Sequence, residues 1–137
     1  LEPDFGDALG GLRSCYHHKG MYEEALGVTR KLFAVRGDQD LLEALNRGYE
    51  EGGYKEAMRQ AAVALEARSN RAYSMGIATL YTFAGEKDRA LDWLETAYQE
   101  SMQNLVYLNV YPKWDLLRDD PRFQELLRKM NFPAEKR

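Results

Sequence analysis

A six-residue phrase recurs three times in this chain of 137 residues and constrains the fold more than any other feature. Each copy places a glycine five residues ahead of an alanine, and the alanines follow one another at intervals of 32 and 33 residues. The three copies run from Gly20 to Ala25, from Gly52 to Ala57 and from Gly85 to Ala90. Self-similarity at this period is typical of stacked supersecondary units rather than of one folded-over core.

Each phrase predicts a helical hairpin. Glycine ends a helix at low cost, because the position after the last turn usually requires a left-handed backbone. Acidic residues follow each glycine and suit the first turn of a new helix. The alanine then lies one turn into the second helix, where a small side chain lets two helix axes approach to about 8 Å. The sequence therefore predicts that helices end at Gly20, Gly52 and Gly85.

Apolar periodicity extends these hairpins into seven predicted helices. All four prolines lie outside residues 4–111, so helices can run unbroken between the glycines. Apolar residues at three- and four-residue spacing predict an inward stripe on each helix, and in the first helix this stripe includes Leu12 and Cys15. The predicted helices are about 5–19, 22–36, 41–49, 54–68, 71–84 and 87–100, followed by one from Pro121 to about Met130.

The C-terminal part departs from the repeat and is predicted to cap it. An open array exposes the apolar flank of its last unit, and Trp114, Leu116, Leu117 and Phe123 supply area to cover it. We expect a short helix or turn at residues 105–108 and a rigid bend at Tyr111-Pro112. The predicted domain spans 1–137, with repeats at about 5–37, 38–69 and 70–102 and a cap at 103–133.

Composition narrows the class of protein. A net charge of −3 argues against nucleic acid as the main partner, because phosphate binding requires clustered lysine and arginine. The one cysteine cannot form an intramolecular bridge, which favours a reducing, cytoplasmic compartment. The longest apolar stretch, 76–85, is too short to cross a bilayer, so no membrane partner is expected.

The repeated phrase resembles the tetratricopeptide repeat (TPR), a helix-turn-helix unit with an aromatic residue in its first helix, glycine at the end of that helix and alanine early in the second. The resemblance covers about three quarters of the chain, and its period of 32–33 residues compares with about 34 in that family. The closing proline of the family is missing, and Tyr49 sits one position late. The matching residues are Tyr16, Gly20 and Ala25, then Gly52 and Ala57, then Tyr81, Gly85 and Ala90.

The segment from Pro112 to Pro133 is similar to the one that closes TPR arrays in bacterial multidomain signalling proteins, including serine/threonine kinases and winged-helix regulators. The two resemblances imply an all-α, TPR-like α-solenoid of three hairpins with a capping helix. They also imply that the chain is the C-terminal fragment of a longer protein whose effector domain lies upstream of Leu1.

The search for reactive chemistry in the sequence leads to no enzyme. Cys15, His17 and His18 form the one cluster with metal-ligand residue types, and it has too few ligands to close a zinc site. Cys15 is expected to pack inside the first hairpin. Neighbouring acids such as Glu23-Glu24 point in different directions on a helix. We therefore expect no catalytic residues, no metal and no cofactor.

The remaining candidate is a groove. In TPR arrays the first helices of successive hairpins line a concave side, and aromatic and amide side chains there suit peptide recognition. The resemblance thus implies a protein-interaction or self-association module of a larger signalling protein. The alternative is a sensory domain that binds a small ligand in the groove, which a closed and mostly apolar pocket would favour. The predicted groove residues are His17, Asn46, Tyr49, Met75, Thr79, Thr82 and Phe83.

Overall fold

The computed structural model describes residues 3–70, 73–99 and 112–129, and the regular elements within those ranges are all helical. The all-α class predicted from the sequence is therefore confirmed for this part of the chain. The expectations for residues 105–108 and for Tyr111 fall outside the described ranges. The elements are α1 (Pro3–His18), α2 (Tyr22–Arg36), α3 (Gln39–Glu66), α4 (Ser74–Phe83), α5 (Lys87–Gln99), a 3-10 helix (Pro112–Leu117) and α6 (Pro121–Lys129).

These helices pair in the order of the sequence. Helix α1 packs against α2, and α4 packs against α5. The third pair is contained within α3, which is broken at Gly53. A β-carbon added to Gly48 would lie 2.8 Å from the Cα of Ala57, whereas an unbroken helix would separate two such residues by about 13 Å. The segments 39–52 and 54–66 therefore fold back on each other as a hairpin.

The middle turn lies one residue later than the repeat predicts. Gly20 and Gly85 have the positive φ of left-handed turns, at 78° and 79°, as expected. In the middle hairpin the non-helical residue is Gly53, with φ 86° and ψ −159°, and Gly52 stays in the helix. This backbone region is open to glycine almost alone. Either of the adjacent glycines Gly52 and Gly53 could form the turn, and the backbone angles show that the turn is at Gly53.

The three alanines of the repeated phrase are fully buried. Ala25, Ala57 and Ala90 are each 0% exposed, as expected where two helices approach closely. In the middle hairpin, Gly48 lies nine residues before Ala57, as Tyr16 and Tyr81 lie before their alanines. Glycine therefore replaces the aromatic residue at this position, which lets the two segments approach backbone to backbone.

Helix α4 lies at the centre of the structure. Nine of its residues are buried, from Ser74 and Met75 through Ile77–Phe83, and a helix that is covered on all sides belongs in a core. It contacts α3, α5 and the 3-10 helix. Helix α1 is more peripheral: Leu12 and Cys15, which the periodicity placed inward, are exposed. That expectation was wrong because this side of α1 is not covered by the described elements.

The C-terminal elements join the core by burying large side chains. Trp114, Leu117 and Phe123 are each 0% exposed, whereas Leu116 is 47% exposed and does not contribute as predicted. Helix α6 begins at Pro121 as expected, and the Asp120 carboxylate accepts a hydrogen bond from the Arg122 backbone N–H at 2.9 Å. The 3-10 helix contacts α1 and α4 as well as α5, so it bridges the first and third hairpins.

Three arginines tie successive elements together at the surface. Arg68 pairs with Asp38 and Asp40 across the open end of the middle hairpin, at 3.0 and 2.6 Å. Arg89 on α5 reaches Glu66 at the end of α3 at 2.7 Å. Arg122 on α6 reaches acids on α5, Asp92 at 2.6 Å and Glu95 at 3.0 Å. The contacts of Arg68 with Asp40 and of Arg122 with Glu95 are bidentate, and such contacts fix orientation between neighbouring helices more than they add stability.

Candidate functional site

Side chains next to the three hairpin turns meet in one group, which we call the turn cluster: Arg13, His17, Tyr22, Tyr54 and Phe83. His17 and Tyr22 flank the first turn at Gly20, Tyr54 directly follows Gly53, and Phe83 precedes Gly85 by two residues. Because each hairpin contributes a residue beside its own turn, the three turns lie on the same edge of the molecule.

The aromatic rings of the turn cluster contact one another directly. The His17 ring centroid is 4.4 Å from that of Phe83 and 5.6 Å from that of Tyr54. Tyr22 and Tyr54 are 4.7 Å apart. Such pairs contribute attraction beyond the area they bury. They also join α1 to α4, whereas in an open array a repeat contacts only its neighbours. The first and third hairpins therefore meet at this edge.

His17 is held in its neutral form. Burial lowers the pKa of His17 to about 4, and the nearby His18, Arg13 and Lys55 lower it further. A hydrogen bond of 2.8 Å joins its Nδ1 to the hydroxyl of Tyr54. Burial raises the pKa of Tyr54, so that hydroxyl keeps its proton and can donate it to the neutral ring.

This arrangement predicts a pH dependence of stability. The unfolded chain binds a proton on His17 near its ordinary pKa of 6.5, whereas the folded chain binds it only near 4. The free energy of unfolding should therefore be highest above pH 6.5 and should fall as the pH drops from 6.5 to about 4. Urea titrations at several pH values, with His17→Gln as the control, measure this contribution. The variant should lose it, and a variant with the same pH profile as the parent would contradict the assignment.

Arg13 is the unusual member of the turn cluster. Its guanidinium carbon lies 5.1 Å from the centroid of the Phe83 ring, a cation-π distance. Its Nε is buried and has no hydrogen-bond partner. No carboxylate of residues 9–70, 73–99 or 114–129 forms an ion pair with it. Burial lowers the pKa of Arg13 to about 10, so it stays charged at neutral pH. A buried donor without an acceptor is costly, so the Nε of Arg13 calls for an explanation.

The surroundings of Arg13 are also cationic. Arg36 lowers the pKa of Arg13 further, after burial. Lys55 lies against the third turn, with its Nζ 3.8 Å from the position a β-carbon would take at Gly85. A described acid near this edge, Asp115, is engaged with His18 at 3.6 Å. The turn cluster thus contains Arg13 and lies beside Lys55, and neither is paired with an acid of the described residues.

The seven predicted groove residues divide into three groups. His17 and Phe83 belong to the turn cluster. Met75, Thr79 and Thr82 are buried within the core helix α4, and the hydroxyls of Thr79 and Thr82 donate to carbonyls one turn earlier, at 2.9 and 2.7 Å. With exposed fractions of 8%, 5% and 3%, these three side chains cannot meet a ligand at the surface in this conformation, and the same holds for Phe83 at 1%.

The other two predicted residues stay accessible. Asn46 is partly buried, and its side-chain oxygen accepts a hydrogen bond of 2.7 Å from Arg30. Tyr49 is also partly buried and donates its hydroxyl to Glu23 at 2.6 Å. Arg30 lies over the Tyr49 ring at 5.6 Å. We call this group, Glu23, Arg30, Asn46 and Tyr49, the polar strip. It connects α2 with the first segment of α3.

Arg13, Tyr22 and Tyr54 are site residues that the sequence alone did not predict. A signal for the tyrosines was present in the repeated phrase, because Tyr22 and Tyr54 both stand two residues after the glycine that opens their copy. Equivalent positions in stacked repeats lie on the same side of the array. Nothing in the sequence distinguishes Arg13 from other helical arginines, since its position beside Phe83 arises from the contact between the first and third hairpins.

The described residues hold no group of three or more histidine, cysteine, aspartate or glutamate side chains that could bind a metal. Helices long and apolar enough to cross a membrane are likewise missing from this part of the chain. Comparisons with protein-family models, with curated protein sequences and with solved structures gave no significant match.

Proposed function

We propose that this chain is a TPR-like, three-hairpin sensory domain that binds a small ligand at the turn cluster and regulates an effector in a larger cytoplasmic signalling protein. The observation that carries the proposal is Arg13, a partly buried cation whose Nε lacks an acceptor and whose neighbours are aromatic rings and further cations. A site built to receive a ligand leaves such a group unsatisfied until the ligand binds.

The closed form of the array supports a small ligand over an extended peptide. Four of the residues expected on an open trough, Met75, Thr79, Thr82 and Phe83, are buried in α4. The 3-10 helix contacts both α1 and α4, and His17 contacts Phe83, so the first and third hairpins are already joined. Small-molecule sites are concave and mostly apolar with a few polar groups, and a ring-lined cluster with one arginine fits that description better than a trough does.

A fragment screen followed by two-dimensional NMR of the labelled chain tests this proposal. Hits should shift the side-chain signals of Tyr22 and Tyr54, because these accessible rings would contact the bound fragment. The signals of the buried Phe83 ring should shift through its contact with Arg13. A ligand that rigidifies the contact between hairpins should also raise the melting temperature in proportion to its concentration. A broad library with no hit on these signals would refute the proposed site.

The second candidate is a protein or peptide partner, including a second copy of the chain, bound on the polar strip. The observation that favours it is that Asn46 and Tyr49 are accessible and present an amide and an aromatic hydroxyl side by side. Aromatic and amide groups are characteristic of peptide-binding surfaces. Fragments or peptides that shift Tyr49 signals and leave Tyr54 unchanged would support this candidate over the first.

A further inference from the structure

We infer that the ligand of the turn cluster is a small organic oxyanion, with its carboxylate or phosphate on Arg13 and its planar or apolar body against the aromatic rings. This inference rests on the proposed function and adds the chemical class of the ligand. It combines a cation that no acid of the described residues pairs with, a lysine that acts on His17, and the aromatic rings of the turn cluster.

The charges near Arg13 favour an anionic ligand. Arg13 has no acid partner in the described part of the chain, and the groups that act on its charge are Arg36 and Tyr54. Burial lowers the pKa of His17 most, and the nearby His18, Arg13 and Lys55 lower it further. Arg36 and Lys55 likewise form no ion pair with the described residues. Cations that are not paired with an acid favour an anionic ligand over a cationic one.

The shape of the Arg13 guanidinium favours an oxyanion among the possible anions. A guanidinium presents a planar fork of donors that matches the two oxygens of a carboxylate or phosphate. Arg13 is only partly buried, so a solute can reach the guanidinium, and the contact with the Phe83 ring at 5.1 Å orients the group. Neutral His17 cannot supply the positive charge, so the attraction depends on Arg13 and Lys55.

The accessible rings at this edge are those of Tyr22 and Tyr54, whose centroids are 4.7 Å apart. The Phe83 ring is only 1% exposed and contacts Arg13 and His17 from the core. An inorganic ion would make no use of this surface, whereas an anion attached to a ring would bury apolar area against it. The combination therefore favours an aryl or acyl oxyanion over free phosphate.

Calorimetry and NMR with small probes test the inference on the full chain. The probes are benzoate, phenyl phosphate, inorganic phosphate, benzyl alcohol and benzylamine. We expect benzoate or phenyl phosphate to bind at least tenfold more tightly than benzyl alcohol and benzylamine, with affinity falling as salt rises. The comparison of benzoate with phenyl phosphate identifies which oxyanion is preferred, and inorganic phosphate measures the contribution of the ring.

Two variants with the same change in net charge separate the site from a general charge effect. Arg13→Met should reduce the affinity for the oxyanion at least tenfold and should keep or raise the melting temperature, because it removes a buried charge that lacks a counter-ion. Arg128→Met, at an exposed position on α6, should leave the affinity within twofold. Arg13→Lys keeps the charge without the planar fork and should bind with intermediate affinity.

Three outcomes decide between the inference and the proposed function. If the oxyanions bind more tightly than benzyl alcohol and benzylamine, and Arg13→Met abolishes that binding, both the inference and the proposed function are supported. If benzyl alcohol or benzylamine binds as tightly as the oxyanions, shifts the Tyr54 and Phe83 signals and is unaffected by Arg13→Met, the oxyanion class is overturned. The proposed small-ligand site would then remain. Binding of no probe, with no change in the Tyr54 or Phe83 signals, overturns the oxyanion, and the broader fragment screen then decides the proposed function separately.

Discussion

Trp114→Ala is expected to lower the free energy of unfolding by about 3–5 kcal/mol, the range for removing a fully buried aromatic side chain. Trp114 is 0% exposed, and its 3-10 helix contacts α1, α4 and α5. The cavity would therefore open where the first and third hairpins are bridged. Since a domain of this size has about 5–15 kcal/mol of stability in total, the loss would be evident in urea denaturation followed by circular dichroism.

Leu116→Ala is the matched control for this result. Leu116 lies two residues away in the same 3-10 helix and is 47% exposed. Its truncation should change the free energy of unfolding by no more than about 0.5 kcal/mol. Equal effects of the two substitutions, or no effect of Trp114→Ala, would mean that the C-terminal segment is not part of the core.

Gly48→Ala is expected to destabilise the protein by about 1–3 kcal/mol through overpacking. A β-carbon at this position would lie 2.5 Å from the carbonyl oxygen of Glu56 and 2.8 Å from the Cα of Ala57. Both are backbone atoms, so the strain cannot be relieved by turning a side chain. The two segments of α3 would have to separate, although alanine is intrinsically the better helix former.

Gly27→Ala provides the opposite case. Gly27 is exposed within α2, and an added β-carbon there meets nothing within 4 Å. The substitution should raise the free energy of unfolding by about 0.5–1 kcal/mol, because it only improves helix propensity. If both substitutions stabilise the protein, the close approach within the middle hairpin is refuted.

Sequence and structure agree on the features that depend on interactions between residues close together in the chain. The hairpin turns at Gly20 and Gly85 and the burial of Ala25, Ala57 and Ala90 are local consequences of backbone conformation and side-chain size, and the repeat predicted them. The shift of the middle turn from Gly52 to Gly53 is also local, but two glycines in succession satisfy the same pattern.

The site was less predictable because it depends on contacts between distant parts of the chain. Burial of Thr79 and Thr82 follows from the central position of α4, which no periodicity within α4 encodes. The meeting of Arg13 with Phe83 joins residues 70 positions apart. Tyr22 and Tyr54 could have been found from their shared place in the repeat. That Arg13 has no acid partner among the described residues could be seen only in the fold.

The central claim is that the edge where the three hairpin turns meet is the binding site, with Arg13 as its charged anchor. The Nε–H proton signal of Arg13, followed by NMR while phenyl phosphate is added, tests it most directly, because that donor lacks an acceptor in the free protein. We predict a saturable downfield shift of this signal together with changes at Tyr54 and Phe83. An Arg13 signal that stays unchanged while exposed lysines and arginines elsewhere respond would contradict the claim.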